Sequence, residues 1–203
     1  MIGYVRQFTP IELDAFRLNP RSVKEFLHEE TLSGFPPAAR AALERLELVS
    51  WWRYGKRREL MRQASEAMKA PGASDQIIAN RGKGLCLEKY WHELHYLLTG
   101  KTGDAPAPLG DAILGGTPIG DDLGYGPARF LAPEEVRAVS FALANVSKEE
   151  LAQRCAEQTP EFQQAHGFLG EDGLEDALYF FDLLVRYYAE SAERGNAVLL
   201  YIR

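Results

Sequence analysis

Leu174-Glu175-Asp176-Ala177-Leu178-Tyr179-Phe180-Phe181-Asp182-Leu183-Leu184-Val185-Arg186-Tyr187-Tyr188, continuing through Gly195-Asn196 into Ala197-Val198-Leu199-Leu200-Tyr201-Ile202, is the stretch that decides the fold. Positions 174, 178, 181, 185 and 188 are apolar, and Ala177, Phe180, Leu184 and Tyr187 form a second stripe. Both stripes repeat at helical spacing. Asp182, Arg186, Glu190 and Arg194 follow one another at i,i+4, where opposite charges support a helix. The pattern predicts a helix from about Leu174 to Arg194, about 30 Å long at 1.5 Å per residue, ended by Gly195. With apolar groups round most of its girth it reads as the central core helix, and its aromatics as packing. The run 197–202 that follows has the length and β-branched content of a strand.

A terminal strand needs a partner, and the opposite end of the chain offers one. In Ile2-Gly3-Tyr4-Val5-Arg6-Gln7-Phe8, apolar residues recur at period 2, so pairing of the two termini is expected to close the domain. Between them the punctuation is helical. Thr9-Pro10-Ile11-Glu12 and Ser147-Lys148-Glu149-Glu150 are capping boxes, and Pro133-Glu134-Glu135 opens a helix with acidic residues near its positive end. Helices are also expected around 22–28, 38–48, 59–68 and 86–98, the last stopped by Gly100. The stretch 108–129, with five glycines in the twelve residues 115–126, reads as a turn-rich connector or a ligand-facing loop. Together these signals predict an α+β domain in which several helices pack around a small sheet, with no βαβ alternation.

Composition sets the class. The 203 residues are 46% hydrophobic and 26% charged, which excludes a disordered chain. No apolar run approaches the roughly 18 residues of a membrane span, and Met1 to Arg6 lack the layout of a secretion signal. Two cysteines, Cys86 and Cys155, are too few for a disulfide framework or a cysteine zinc site. A cytoplasmic protein with no membrane partner is expected. Charge is uneven: residues 1–103 carry 16 basic and 12 acidic groups, residues 104–203 carry 7 and 17, within a total of −6. That dipolar distribution suits steering of a charged partner.

Three places merit weighing for chemistry. His92 and His95 in Trp91-His92-Glu93-Leu94-His95 stand at i,i+3, whereas the zinc-protease arrangement is i,i+4; a metal would need further ligands, for which Asp121 and Asp122 are the candidates. The plainer reading makes His95 a satisfied boundary histidine. In the glycine-rich stretch the polar groups are Asp121, Asp122, Tyr125 and Arg129, and the absence of Gly-Lys-Ser/Thr argues against a phosphate loop. Trp51-Trp52-Arg53-Tyr54-Gly55-Lys56-Arg57-Arg58 mixes aromatics with four basic residues, as single-stranded nucleic-acid binders do. In an acidic protein it reads better as a solvated helix start. There is no Gly-x-Ser-x-Gly elbow, and no cofactor or resident metal is called for.

Read in order, Met1-Ile2-Gly3-Tyr4, Trp91 through Leu98-Thr99-Gly100, Pro108-Leu109 through Ile113, Leu123-Gly124-Tyr125-Gly126-Pro127-Ala128-Arg129, Pro133-Glu134-Glu135-Val136 and Gly195-Asn196-Ala197-Val198-Leu199-Leu200 resemble the YfbM-like family of bacterial proteins of unknown function. The resemblance covers roughly residues 1–30 and 84–203. It makes the chain a single domain over 1–203 with a helical insertion at about 31–83, while His166-Gly167-Phe168 departs from the tyrosine-proline and tryptophan pattern of the family. It implies an α+β fold and supplies no reaction.

The leading functional expectation is a non-catalytic binding or protein-interaction domain, inhibitor-like or immunity-like, whose partner is another protein or a small ligand. Candidate binding residues are His92, His95, Asp121, Asp122, Tyr125 and Arg129, brought together if the segment around Tyr125 folds against the helix bearing His95. The alternative is a small hydrolase or metal-assisted enzyme using His92 and His95 with Asp121 and Asp122 to activate water, Arg129 stabilising developing charge. Nucleic acid is the least favoured partner.

Overall fold

The computed structural model describes residues 1–33, 37–47, 49, 53–68, 84–167 and 169–203. In chain order the elements are strand β1 (Gly3–Phe8), helices α1 (Pro10–Leu18), α2 (Ser22–Ser33), α3 (Pro37–Glu47) and α4 (Tyr54–Met68), strand β2 (Gly84–Glu88), helix α5 (Trp91–Thr99), a short 3-10 turn at Gly110–Ala112, strands β3 (Thr117–Asp122) and β4 (Pro127–Leu131), helices α6 (Pro133–Ala144), α7 (Lys148–Ala156), α8 (Pro160–His166) and α9 (Glu171–Glu193), and strand β5 (Ala197–Ile202). The chain divides into two compact units, residues 1–23 with 84–203, and residues 24–83.

The first unit is built on a five-stranded antiparallel sheet of order β2-β1-β5-β4-β3. The chain termini do pair, from Gly3 opposite Ile202 to Phe8 opposite Ala197. Alternation along the strands sends Val5, Leu87, Leu131, Val198 and Leu200 into one core, while Phe8, on the other face of β1, meets Phe16 of α1 with ring centroids 5.5 Å apart. Across the first face α9 contributes Ala177, Phe181, Leu184, Tyr188 and Ser191, a single stripe at i+4 and i+3 steps. It packs against α5, α6, α7 and β2. Both capping boxes form: Thr9 Oγ1 accepts from the Glu12 amide and Ser147 Oγ from that of Glu150.

Several expectations are corrected. Residues 84–88 are strand, not the start of a helix; Glu88 at φ 51° breaks the chain and α5 begins at Trp91. The glycine-rich stretch is not a connector: 117–122 and 127–131 are strands of a hairpin. Helix α9 starts at Glu171, and its girth is not buried all round, for Tyr179 is 60% exposed while Leu174 and Leu178 are only half-buried. Gly100 does end α5 in the left-handed conformation, φ 70°.

In the second unit α3 and α4 pack on each other, burying Ala39, Ala42, Leu60 and Ala64. The Arg57 guanidinium donates to the carbonyls of Leu46 and Val49 at 3.1 and 2.7 Å, capping the end of α3. Of the aromatic-basic stretch, Trp51 and Trp52 lie outside the described residues, as does Phe168. Arg57 is committed to this cap.

Candidate functional site

The two halves of the site expected from the sequence are held by different surroundings. The strand leading into α5, β2, and the hairpin strand β3 are opposite edges of the sheet, four strand spacings or about 19 Å apart. In the hairpin, Asp122 Oδ1 accepts from the amides of Gly124 (2.6 Å) and Gly126 (3.0 Å), so its carboxylate organises the tip. Asp121 and Tyr125 are exposed there, Tyr125 at 60%. Arg129 is half-buried and its Nε donates to the Gly115 carbonyl at 3.0 Å, which braces the loop before β3.

His95 is fully buried. Its Nε2 lies 2.6 Å from the Gly103 carbonyl. A carbonyl only accepts, so Nε2 carries the proton and Nδ1 is left as a lone pair, buried and without a hydrogen-bond partner among the described residues. Burial lowers the affinity of this imidazole for a second proton, outweighing the Gly103 carbonyl and the nearby Asp104. Burial thus favours the neutral ring, which has no exposed atom to offer a partner. His92 is half-buried, its ring stacked on Trp91 at 3.7 Å.

Among the described residues no group of three His, Cys, Asp or Glu side chains is placed to hold a metal. His92 and His95 with Asp121 and Asp122 do not make such a group. Neither thiol is primed as a nucleophile. Burial pushes Cys86 up, with the Glu88 carboxylate adding to it, and burial also raises Cys155.

A different surface is left open. Along the outer side of α9, Leu174, Leu178 and Tyr179 line a shallow groove of about 440 Å³, bordered by Glu171, Glu175 and Asp182, with Lys148 at the start of α7 on its far wall. Lys148 Nζ is 2.7 Å from Asp182 Oδ2, and both side chains are about half exposed. Such a pair contributes about 0–1 kcal/mol and can open at little cost. Three carboxylates against one ammonium give the groove a negative rim. On the neighbouring flank of the same helix, Tyr90 donates its hydroxyl to Asp176 and stacks on Phe180 at 5.1 Å. A second depression of about 410 Å³ lies where Arg17 and Pro20 meet the edge strand β3, with the Arg17 guanidinium 5.0 Å over the Phe130 ring.

Sequence reasoning missed the α9 groove because Leu174 and Leu178 counted as core. The available signal was their flanking: Glu171, Glu175 and Asp182 share their helix face at i,i+4 and i,i+7 steps, and an apolar stripe edged by like charges is poorly placed for burial.

The profile of the family described as "Domain of unknown function (DUF1877)" matches residues 1–201. The chain belongs to that family. Among solved structures, this DUF1877 chain is similar to the protein of unknown function YfbM from Escherichia coli, at 18% identity and a TM-score of 0.57, with 98% of each chain covered. That likeness is one of fold. No curated protein matches the DUF1877 chain. No helix among its described residues is long and apolar enough to cross a membrane.

Proposed function

We propose that this DUF1877 chain is a non-catalytic protein-interaction domain of the inhibitor-like or immunity-like kind, and that the outer face of α9 is its working surface. The observation that carries the reading is the open groove in which Leu174, Leu178 and Tyr179 share the outer side of α9 with Glu171, Glu175 and Asp182. Apolar side chains with a polar surround are the composition of a protein contact. The way polar groups are used elsewhere speaks for the same reading. Asp122, Arg129, His95 and Gln158 satisfy backbone groups of their own fold, so they hold architecture together rather than face a substrate. Of the residues nominated from the sequence, Asp121 and Tyr125 remain candidates for an ancillary contact at the hairpin tip.

The proposal extends to location and organisation. Cys86 and Cys155 are both free thiols, which suits the cytoplasm. The compactness of residues 24–83 as a unit of their own supports reading 31–83 as an insertion into the domain.

The test uses the full chain as bait in extract of its native host, beside Leu178→Asp and Tyr179→Ala variants shown to be folded by circular dichroism. A partner retained by the natural chain and lost by both variants is the expected result. Equal retention by all three, or turnover of a substrate by the purified chain, overturns the proposal.

A further inference from the structure

We infer that the α9 groove receives a cationic amphipathic helix of another protein, seated through apolar side chains on Leu174, Leu178 and Tyr179 and through Arg or Lys side chains on the carboxylate rim. This inference rests on the interaction-domain reading and adds the chemistry of the partner.

The shape is that of one helix lying along another. The lining residues on α9 run from Glu171 to Asp182, eleven steps of 1.5 Å or about 16 Å, the length of three turns of a docked helix. Leu174 and Leu178 are one turn apart, so a partner would answer with apolar residues at i, i+3 or i+4, and i+7. The floor is anchored from below, because Leu174 and Leu178 also pack on the core, so the helix does not have to reorganise to bind.

Charge selects among occupants. Glu171, Glu175 and Asp182 stand along one face of α9, and Lys148, the cation among the groove's lining residues, is already on Asp182. Anionic lipid and nucleic-acid phosphate are repelled by such a surface. A second copy of the chain docking the same face two-fold would set one acidic flank against another, since an isologous contact pairs a patch with itself. A basic helix gains on both counts: its guanidinium groups meet carboxylates and its apolar stripe meets the leucines. One of its cations can displace Lys148 from Asp182, exchanging one exposed ion pair for another.

The test titrates the fluorescently labelled full chain with an eighteen-residue synthetic helix carrying leucines at i, i+3, i+4 and i+7 flanked by arginines. Controls are the same peptide with glutamate for arginine, a scrambled peptide of identical composition, and spermine. The expected result is saturable binding of the arginine helix alone. The affinity should fall about tenfold between low salt and 0.5 M salt, and by at least about tenfold in the Glu171→Lys/Glu175→Lys variant, once circular dichroism shows it folded. Tyr179→Ala should weaken it about tenfold as well. Binding of the glutamate or scrambled helix as tightly as the arginine helix, equal binding of spermine, indifference to both variants, or no saturation at millimolar peptide each overturns the cationic-helix assignment. The two readings fail separately: a host partner that Leu178→Asp and Tyr179→Ala lose, but whose binding ignores Glu171→Lys/Glu175→Lys, leaves the interaction domain standing and removes the cationic helix.

Discussion

Removing one hydroxyl, by Tyr187→Phe, tests how the buried Gln7 amide at the end of β1 is held. The last β2 residue opposite β1 is Gly84, paired with Arg6, so Gln7 has no described strand residue on that side. Its backbone N–H instead donates to Tyr187 Oη at 2.5 Å, with both residues buried. Burial holds the Tyr187 hydroxyl far above the ordinary tyrosine range, although the Gln7 amide and the Arg6 guanidinium both oppose the shift. Phenylalanine keeps the ring and deletes the acceptor, leaving a buried amide without its described partner; that costs about 1–3 kcal/mol. For a chain of this size each kcal/mol corresponds to about 2–4 °C of melting temperature, so a fall of about 2–12 °C is expected. Tyr188→Phe is the companion. Its Oη donates to the Ala112 carbonyl at 2.9 Å, and an orphaned carbonyl is tolerated better than an orphaned N–H, so its loss should be the smaller. Amide hydrogen exchange gives the local reading: Gln7 is slow in the natural chain and should lose most of its protection in Tyr187→Phe. Unchanged protection at Gln7, or a larger loss from Tyr188→Phe, refutes the reasoning.

Three further perturbations follow from the geometry. His95 binds its second proton less readily in the fold than at its ordinary value of 6.5, so below pH 6.5 the unfolded chain takes up a proton that the fold refuses. Stability should fall as pH drops from 6.5 toward 5, and His95→Gln, which keeps a donor for Gly103, should flatten that limb in urea titrations. Gly3→Ala places a Cβ 2.6 Å from Trp91 Cβ; α5 must lift from β1, and a loss of about 1–3 kcal/mol should register in the urea midpoint. Burial raises Tyr201 to about 12. Stability contributed by its protonated form is complete below pH 10 and is lost as pH climbs toward 12, so Tyr201→Phe should shift alkaline unfolding upward, followed by circular dichroism.

What the sequence reveals about this fold divides along physical lines. Thr9 with Glu12, Ser147 with Glu150, and Gly100 act within four residues of themselves, so their helix ends are readable from the chain alone. The pairing of Gly3–Phe8 with Ala197–Ile202 spans the whole chain yet is readable too, because each run is apolar at strand length and needs a partner. Strand β2 was hidden by coincidence of spacing. Leu87, Trp91, Leu94 and Leu98 step by four, three and four, a helical rhythm that passes unbroken from strand into helix, and the break at Glu88 depends on a backbone angle no composition announces. The β3–β4 hairpin was hidden because its turn is organised by a side chain, Asp122, bonding the Gly124 and Gly126 amides, so its glycine density resembled a loop.

The candidate site was the least legible part because apolar periodicity reports which residues can be buried, not which are. Leu178 and Leu184 look equivalent along α9, yet Leu184 is wholly enclosed and Leu178 is not. The difference is set by what packs opposite. Leu184 belongs to the stripe shared with Ala177, Phe181 and Tyr188, the direction in which the sheet and the other helices lie. Leu178 is displaced from that stripe toward Glu171, Glu175 and Asp182, and those carboxylates could follow it into a core only at a cost of several kcal/mol each. Three charges at helical spacing therefore hold one flank of α9 at the surface whatever the leucines between them favour. Leu174 and Leu178 spend part of their surface on the core, so the scaffold uses one side of each and leaves the other in water. That outer apolar area, with Tyr179, is what the proposed partner would bury.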